Sequence, residues 1–483
     1  MIKIKNYING QLIEPASGEY LDVFDPSIGK PYALVPDSDI REVDQAIDAA
    51  ESAFANWAAT SINERSRIMT KIADLIGENL DRLAETESLD NGKPVWLAKQ
   101  VDIPRAESNF RFFAQAITQF ASQTHEMPEA INYTLRQPLG VVATISPWNL
   151  PLYLFTWKIA PALAAGNCVI AKPSEVTPMT AYLLAELCIE AGLPAGVLNI
   201  VHGDGIKVGA EFSKHPKIKA ISFTGSTRVG RAIATTAAPL FKKLSLEMGG
   251  KNPNIIFADC DYGKMIKQII RSSFGNQGQI CLCGSRILVE ASIYEQFKRD
   301  FVEITSKLKV GPPSHPKTKS GAIVSKVHYD KILSYIQLAK EEGGQVLAGG
   351  APVFPEGHED GWYIQPTIIE GLPHDARCNM EEIFGPVVTI MPFENDREAL
   401  SFANSTDYGL SASVWTENIT RAHKFAKELE AGIVWVNTWL LRDLRTPFGG
   451  VKNSGVGREG GFEALRFFTE PKNVCIHFGS ESI

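Results

Sequence analysis

The sequence predicts an α/β protein: a doubly wound parallel sheet, a second α/β domain after it, and a small β arm. Three features point that way. From Val141 to Ala237, short apolar runs alternate with helical patterns, which is how βαβ units feeding a buried parallel sheet read. A second alternation of the same kind begins after Gly249. Between Phe120 and Pro138 the text becomes rich in Thr, Gln and Glu and alternates at Ile131-Asn132-Tyr133-Thr134-Leu135, as a strand pair leaving a domain and returning would. At 483 residues the chain exceeds what one hydrophobic core holds.

In chain order, residues 1–36 read as short strands and turns (Asn9-Gly10, Asp25-Pro26, Ile28-Gly29), an edge or covering layer. From Asp39 to about Thr118 the pattern is helical, with Val43, Ala46, Ile47 and Ala50, then Ile68, Ile72, Leu75 and Ile76, at helical spacing. Asn91-Gly92-Lys93-Pro94 interrupts it, and a further helix carries Ile103, Phe110 and Phe113. The predicted strands 141–145, 168–171, 197–201 and 218–223 alternate with helices 152–165, 179–191, 206–214 and 228–237, the last of which is expected to close the series. The second region has predicted strands at 254–257, 286–289, 387–390 and 413–415, with helices at 262–274, 294–308, 326–342 and 397–404. Residues 1–119 and 139–248 are expected to form one domain and 249–460 the next. Segments 120–138 and 461–483 are expected to form an arm and tail that pair within one subunit or between subunits, implying a homodimer or homotetramer.

Composition narrows the function classes. Hydrophobic residues make up 44% and charged ones 21%, ordinary for a globular protein. The net charge of −7 and the lack of a Lys/Arg-rich run give no footprint for nucleic acid. No stretch approaches the roughly 18 apolar residues of a membrane span, and no signal peptide is expected at the start. Seven dispersed cysteines fit a reducing cytoplasm better than a disulfide framework. Cys281 and Cys283 form C-x-C without a second pair or nearby histidine, so no metal site is expected.

Most of the cysteines lie in apolar runs, where an unpaired thiol is simply a small buried hydrophobe. Cys281 differs. It follows Gly275-Asn276-Gln277-Gly278-Gln279-Ile280, a polar, glycine-bearing turn that leaves a sulfur reachable for nucleophilic attack. Upstream, Glu247 enters the double-glycine turn Gly249-Gly250, where partial burial would make a general base of a carboxylate that is otherwise a plain helix-end acid. Three strand ends suit a dinucleotide. Ser146-Pro147-Trp148-Asn149 turns into a helix, Lys172-Pro173-Ser174-Glu175 puts a cation and an acid at the sheet edge, and Phe223-Thr224-Gly225-Ser226-Thr227 opens a helix whose amides can meet a pyrophosphate. An acid at Glu175 can hold both ribose hydroxyls, which favours NAD over its 2′-phosphorylated form. Gly203, Gly205 and Gly209 form G-x-G-x-x-x-G, a weak signal by itself.

Those motifs, with Leu246-Glu247-Met248-Gly249-Gly250-Lys251, Glu381-Glu382-Ile383-Phe384-Gly385-Pro386 and Pro447-Phe448-Gly449-Gly450, run in an order that resembles the aldehyde dehydrogenase superfamily over essentially the whole chain. The resemblance implies that Cys281 attacks an aldehyde, that the Asn149 amide and the Cys281 N–H form an oxyanion hole, and that hydride passes to NAD to leave a thioester. Glu247 would then activate the water that releases an acid. It assigns Lys172 and Glu175 to the adenosine ribose, Gly225 and Ser226 to the pyrophosphate, and Glu382 with Phe384 to the nicotinamide ribose. Ile145, Ser146, Pro147, Trp148, Ser174, Gly205, Gly209, Phe223, Thr224, Val229, Met248 and Gly249 complete the implied coenzyme cleft.

The same resemblance places a substrate tunnel against Arg105, Arg442 and Phe448. Two guanidiniums suit a carboxylate held at the far end of the substrate, unless they are merely solvated or paired with Asp102, Glu107 or Asp443. The text around Asp102-Ile103-Pro104-Arg105 and Arg442-Asp443-Leu444-Arg445-Thr446-Pro447-Phe448 resembles the branch that oxidises 2-aminomuconic and 2-hydroxymuconic semialdehydes. Betaine, succinic or aliphatic aldehydes are the nearer alternatives. A non-catalytic relative that keeps the fold, or a cofactor-free cysteine hydrolase, is the alternative from another class.

Overall fold

The protein is described by a computed structural model covering residues 1–479. Its first large sheet has eight strands, in the order Gly455–Val456, Lys243–Glu247, Ile218–Thr224, Val141–Ile145, Cys168–Lys172, Leu198–Ile200, Asn6–Ile8 and Gln11–Ile13. The central five are parallel, and the outer strands run antiparallel. Val141–Ile145, first of the five in the chain, lies in the middle. The chain builds outward through 168–172 and 198–200, then returns to the other side through 218–224 and 243–247. Strand order reverses there, and the carboxyl ends at Ile145 and Thr224 part to leave the crevice where α/β sheets bind ligands.

Strand Lys243–Glu247 corrects the expectation that the helix around 228–237 closes the series. Its Lys-Leu-Ser-Leu-Glu text is too polar to read as a buried strand. It pairs with Ile218–Thr224 on one side and with Gly455–Val456 on the other, and its last residue is Glu247.

The helices follow their apolar stripes. Ile40–Ala59 starts at Asp39, which forms a capping box with Glu42, and buries Val43, Ala46, Ile47 and Ala50. Pro151–Ala164 is buried along all 14 residues, as its almost continuously apolar text requires; Lys158 is its one charge. Helix Gly461–Phe467, expected with the tail, instead contributes Ala464 and Leu465 to the core of the first domain, as does the following Phe468.

The second sheet has seven strands, in the order Gln345–Ala348, Thr367–Glu370, Val387–Phe393, Gly284–Glu290, Asn252–Ile256, Ser411–Trp415 and Ile433–Val436. All are parallel except the first. The strands at 345–348, 367–370 and 433–436 have four residues each, too few for a period to register in the sequence. A cover of Ile2–Lys3, Lys30–Pro36 and Tyr20–Asp25 forms the expected N-terminal layer. The arm is a three-stranded antiparallel sheet in which Ala130–Pro138 pairs with Thr124–Glu126 and, over nine residues, with Thr469–His477 of the same chain. The tail beyond residue 479 lies outside the described residues. No helix among the described residues is long and apolar enough to cross a membrane.

Candidate active site

The loop before Cys281 is backbone of an uncommon kind. Helix Tyr262–Phe274 ends, and Asn276, Gln277 and Gly278 then adopt φ of 50°, 56° and 70° in succession. A side chain at Gly278 would sit 2.1 Å from the Gly385 carbonyl, so glycine is required. Left-handed Asn and Gln are sustained because each is buried and bonded: Asn276 Nδ2 donates to the Asn149 carbonyl (3.1 Å), and Gln277 Nε2 to that of Ala322 (2.9 Å). The loop is thus polar, as its sequence says, but not solvated. At its end Cys281 is half-buried, with its carbonyl accepting from Asn252 Nδ2 at 2.7 Å. Burial, then the Glu382 and Glu247 carboxylates, push its thiol well above the ordinary value.

Glu247 is 3% exposed, and neither carboxylate oxygen has a hydrogen-bond partner. Burial, with the charge of Glu459 next, holds its carboxyl well above the usual carboxylate range; Lys158, Arg458 and Arg442 pull the other way. A side chain at Gly449 would reach to 2.7 Å from Glu247 Oε1, so the glycine of Pro447-Phe448-Gly449-Gly450 leaves room beside the acid. Behind it, Lys158 Nζ donates to Glu459 Oε1 (2.7 Å) and Ser222 Oγ (3.0 Å). Asn149, 2% exposed, donates one amide hydrogen to the Gln279 carbonyl at 2.9 Å, two residues before the thiol. Its second amide hydrogen remains for an oxygen on a carbon attached to Cys281. A thiol, an orphan acid that can take a proton from water, and an amide donor therefore converge.

Two cavities lie along the crevice. The inner one, about 170 Å³, is lined by Pro147, Trp148, Asn149, Thr224, Gly225, Ser226, Met248, Gly249, Cys281, Glu382 and Phe384 from the sequence-derived set, and by His328 and Lys331, which that set lacked. The outer one, about 390 Å³, is lined by Ile145, Glu175, Gly205, Gly209 and Val229. Between them Ser226 caps helix Thr227–Ala237, whose first amides face the crevice and suit a pyrophosphate. Glu382 accepts from the Gly250 amide (2.9 Å) and fills the space a side chain at Gly249 would need. Phe384 has φ of 63°, and its carbonyl accepts from His328 Nε2 at 2.6 Å, with Trp148 edge-on to its ring. A dinucleotide fits these groups: an acid at one end, helix amides in the middle, and an aromatic-walled chamber beside the thiol at the other.

Four implied cofactor residues do not line either cavity. Phe223 is buried beneath Gly225, whose side chain would strike its ring. Ser174 uses its hydroxyl to accept from the Val176 amide (3.2 Å). Ser146 donates its amide to the Lys172 carbonyl (3.0 Å), and Lys172 Nζ donates to Glu175 Oε2 (2.8 Å). All four act, if at all, behind the residues that do line the crevice.

On the substrate side Arg442 lies over the Phe448 ring (4.0 Å) and the Trp157 ring (4.9 Å), and donates from Nη1 to the Tyr153 hydroxyl (3.2 Å). Its Nε and Nη2 are buried without partners. Arg105 lies over the other aromatic face in this corner, 5.7 Å from the Tyr153 ring. The carboxylates that could have neutralised them are engaged elsewhere: Asp102 with Lys93 (3.1 Å), Glu107 with Arg111 (2.8 Å), and Asp443 with the exposed Arg445 (2.6 Å).

The aldehyde dehydrogenase family model matches residues 12–474. The chain belongs to the aldehyde dehydrogenase family. A 2-aminomuconic semialdehyde dehydrogenase of Danio rerio is 49% identical over 98% of both chains. A 2-hydroxymuconic semialdehyde dehydrogenase of Pseudomonas sp. (strain CF600) is 47% identical over 99% of this chain and all of its own. Among solved structures, the NAD⁺ complex of an aldehyde dehydrogenase from Bacillus cereus superposes with a TM-score of 0.96 at 39% identity, covering 99% of this chain and 97% of that one. Sequence reading missed Lys158, Glu459, His328 and Tyr153. Lys158 alone left a signal, as a single charge in an otherwise apolar helix.

Proposed function

We propose that this aldehyde dehydrogenase uses NAD to oxidise a semialdehyde bearing a remote carboxylate, of the 2-aminomuconic or 2-hydroxymuconic 6-semialdehyde type, to the dicarboxylic acid. The observation that carries the substrate class is Arg442: two buried guanidinium nitrogens without partners, on an aromatic shelf, with Arg105 close by and likewise free of any carboxylate among the described residues. A buried unpaired cation is costly, and a bidentate carboxylate is the group that satisfies it. The names of the relatives support the same class.

Cys281 releases its proton to solvent water and attacks the aldehyde carbon as thiolate, giving a thiohemiacetal. The oxyanion that develops is held by the free Asn149 amide hydrogen and the Cys281 N–H. Glu175, the amides after Ser226, Glu382 and Phe384 would hold NAD, which when bound would supply the hydride acceptor needed for a thioester to form. Glu247, whose carboxyl is held above the usual carboxylate range by burial, takes a proton from water in its ionised form as that water attacks the thioester. The cysteine leaves as thiolate and the acid departs.

A panel of muconic, succinic, betaine and aliphatic aldehydes, followed by the absorbance of reduced nicotinamide, tests this reading. The carboxylated muconic type should give the highest kcat/KM, and equal rates on neutral aldehydes would discard the substrate class. We also infer a homo-oligomer built through the arm, whose edge strand Thr124–Glu126 is exposed, and a reducing cytoplasmic setting, since all seven cysteines are free.

A further inference from the structure

We propose that Lys93, in the turn Asn91-Gly92-Lys93-Pro94, is a positioning residue for the oxyanion hole, acting through the backbone carbonyl of Asn149. Lys93 is fully buried, and its ammonium donates to that carbonyl at 3.1 Å. The same oxygen accepts from Asn276 Nδ2 (3.1 Å) and Asn91 Nδ2 (3.4 Å), while Asn91 Nδ2 also donates to the Trp148 carbonyl (2.9 Å). Three donors on one backbone oxygen fix the peptide from which the catalytic amide projects.

The ammonium is fixed in turn. It forms an ion pair with Asp102 (3.1 Å) and lies 4.0 Å from Glu87. Glu87 accepts from the Leu152 amide (3.2 Å) and the Thr180 hydroxyl (2.9 Å), so it ties the start of the helix that follows Asn149. The turn also reaches the nucleophile loop from its other side. The Gly92 carbonyl accepts from the Ala322 amide (3.0 Å), and Gly92, at φ 83°, could not carry a side chain against Ala322. From this strap Ala322 accepts from Gln277, and the Val324 amide donates to Gln279 Oε1 (3.2 Å). The Gln279 carbonyl accepts from Asn149 Nδ2, and the Asn149 carbonyl from Lys93, closing the ring. Both walls of the oxyanion hole are thereby referenced to one turn from the first domain. A shift of well under 1 Å in such a donor is enough to lower its contribution to a transition state.

This rests on the proposed role of Asn149, and a double-mutant cycle separates the two. In the full chain, Asn149→Ala alone should lower kcat by about 10²-fold; an unchanged kcat would mean that the reading of Asn149, not of Lys93, is wrong. With that effect in hand, Lys93→Gln should lower kcat by about 10- to 100-fold while KM for NAD and for the aldehyde stays within about threefold. In the Asn149→Ala background the same change should cost less than about threefold, because the amide it positions is gone. Full additivity, or a parallel loss of NAD affinity and kcat, overturns the proposal. If Lys93→Gln is not recovered folded, Asn91→Ala removes one neutral donor to the same two carbonyls. It should give a smaller kcat loss with the same non-additivity, and additive losses there overturn the proposal equally.

Discussion

On one side of Asn149, Lys93 lies between Asp102 and Glu87, and the carboxylates and ammonium of that buried group answer one another. On the other side, Glu247 and Arg442 are also withdrawn from water, yet two carboxylate oxygens and two guanidinium nitrogens have no partner at all. The two groups differ in ion pairing: the Asp102 carboxylate, whose oxygens have no other partner, lies 3.1 Å from the Lys93 ammonium, whereas Glu247 and the half-buried Arg442 form no ion pair among the described residues. Buried polar groups are normally paired, and the proposed reaction gives these two their partners: water for Glu247, a substrate carboxylate for Arg442.

The contrast can be broken most sharply at the Cys281 thiol. Cys281→Ala should reduce steady-state formation of reduced nicotinamide by about 10⁴-fold or more, and an active Cys281→Ala enzyme would mean that neither group serves a covalent reaction. Glu247→Gln should cost about 10²- to 10³-fold in turnover but keep a rapid burst of one reduced nicotinamide per site, since acylation precedes the step that needs the base. Loss of the burst as well would move Glu247 to an earlier role. Arg442→Ala should raise KM for a muconic semialdehyde by about 10²-fold and leave that for a neutral aldehyde within about threefold, with Arg105→Ala smaller in the same direction; equal losses on both substrates would make the arginines structural.

A further effect is on stability, and it has opposite signs in the two groups. Burial raises the Glu247 carboxyl above its ordinary value of 4.5, so the folded protein keeps a proton that the unfolded chain has already released. Its contribution to stability is present at acid pH and is lost as pH rises from the unfolded value towards the folded one. Glu247→Gln should therefore raise Tm by about 1–3 °C at neutral pH, with the gain vanishing near pH 4, whereas Lys93→Gln, by stranding Asp102, should cost about 3 kcal/mol. Turnover of the native enzyme should rise with pH over the window in which Glu247 loses its proton. A Glu247→Gln protein less stable than the parent at neutral pH would remove the distinction between paired and unpaired charge.

Much of this was legible before any coordinates. The buried parallel strands announce themselves because both faces are covered and their text is apolar, as in Val141–Ile145 and Cys168–Lys172. Cys281, Glu247 and Asn149 could be chosen because each sits at a strand end or turn with residues that make no sense as packing. The arginines were legible as charges, but not their freedom, which depends on where Asp102, Glu107 and Asp443 spend theirs. Lys93 was invisible, since its meaning lies in a carbonyl 56 residues away; Lys158 stood out in its helix, but its partner Glu459 is 301 residues distant. Strand Lys243–Glu247 was missed because its polar text gives no hint that Gly455–Val456 will cover its outer edge.

That covering strand has a consequence for how the enzyme comes into being. Gly449 beside Glu247, Gly455–Val456 on its strand and Glu459 on Lys158 all come from one stretch that is translated after every other strand of the two large sheets. The pocket around Glu247 cannot close until this stretch has been made. Catalytic competence therefore arrives late in synthesis, as a final clasp, rather than growing with the domains.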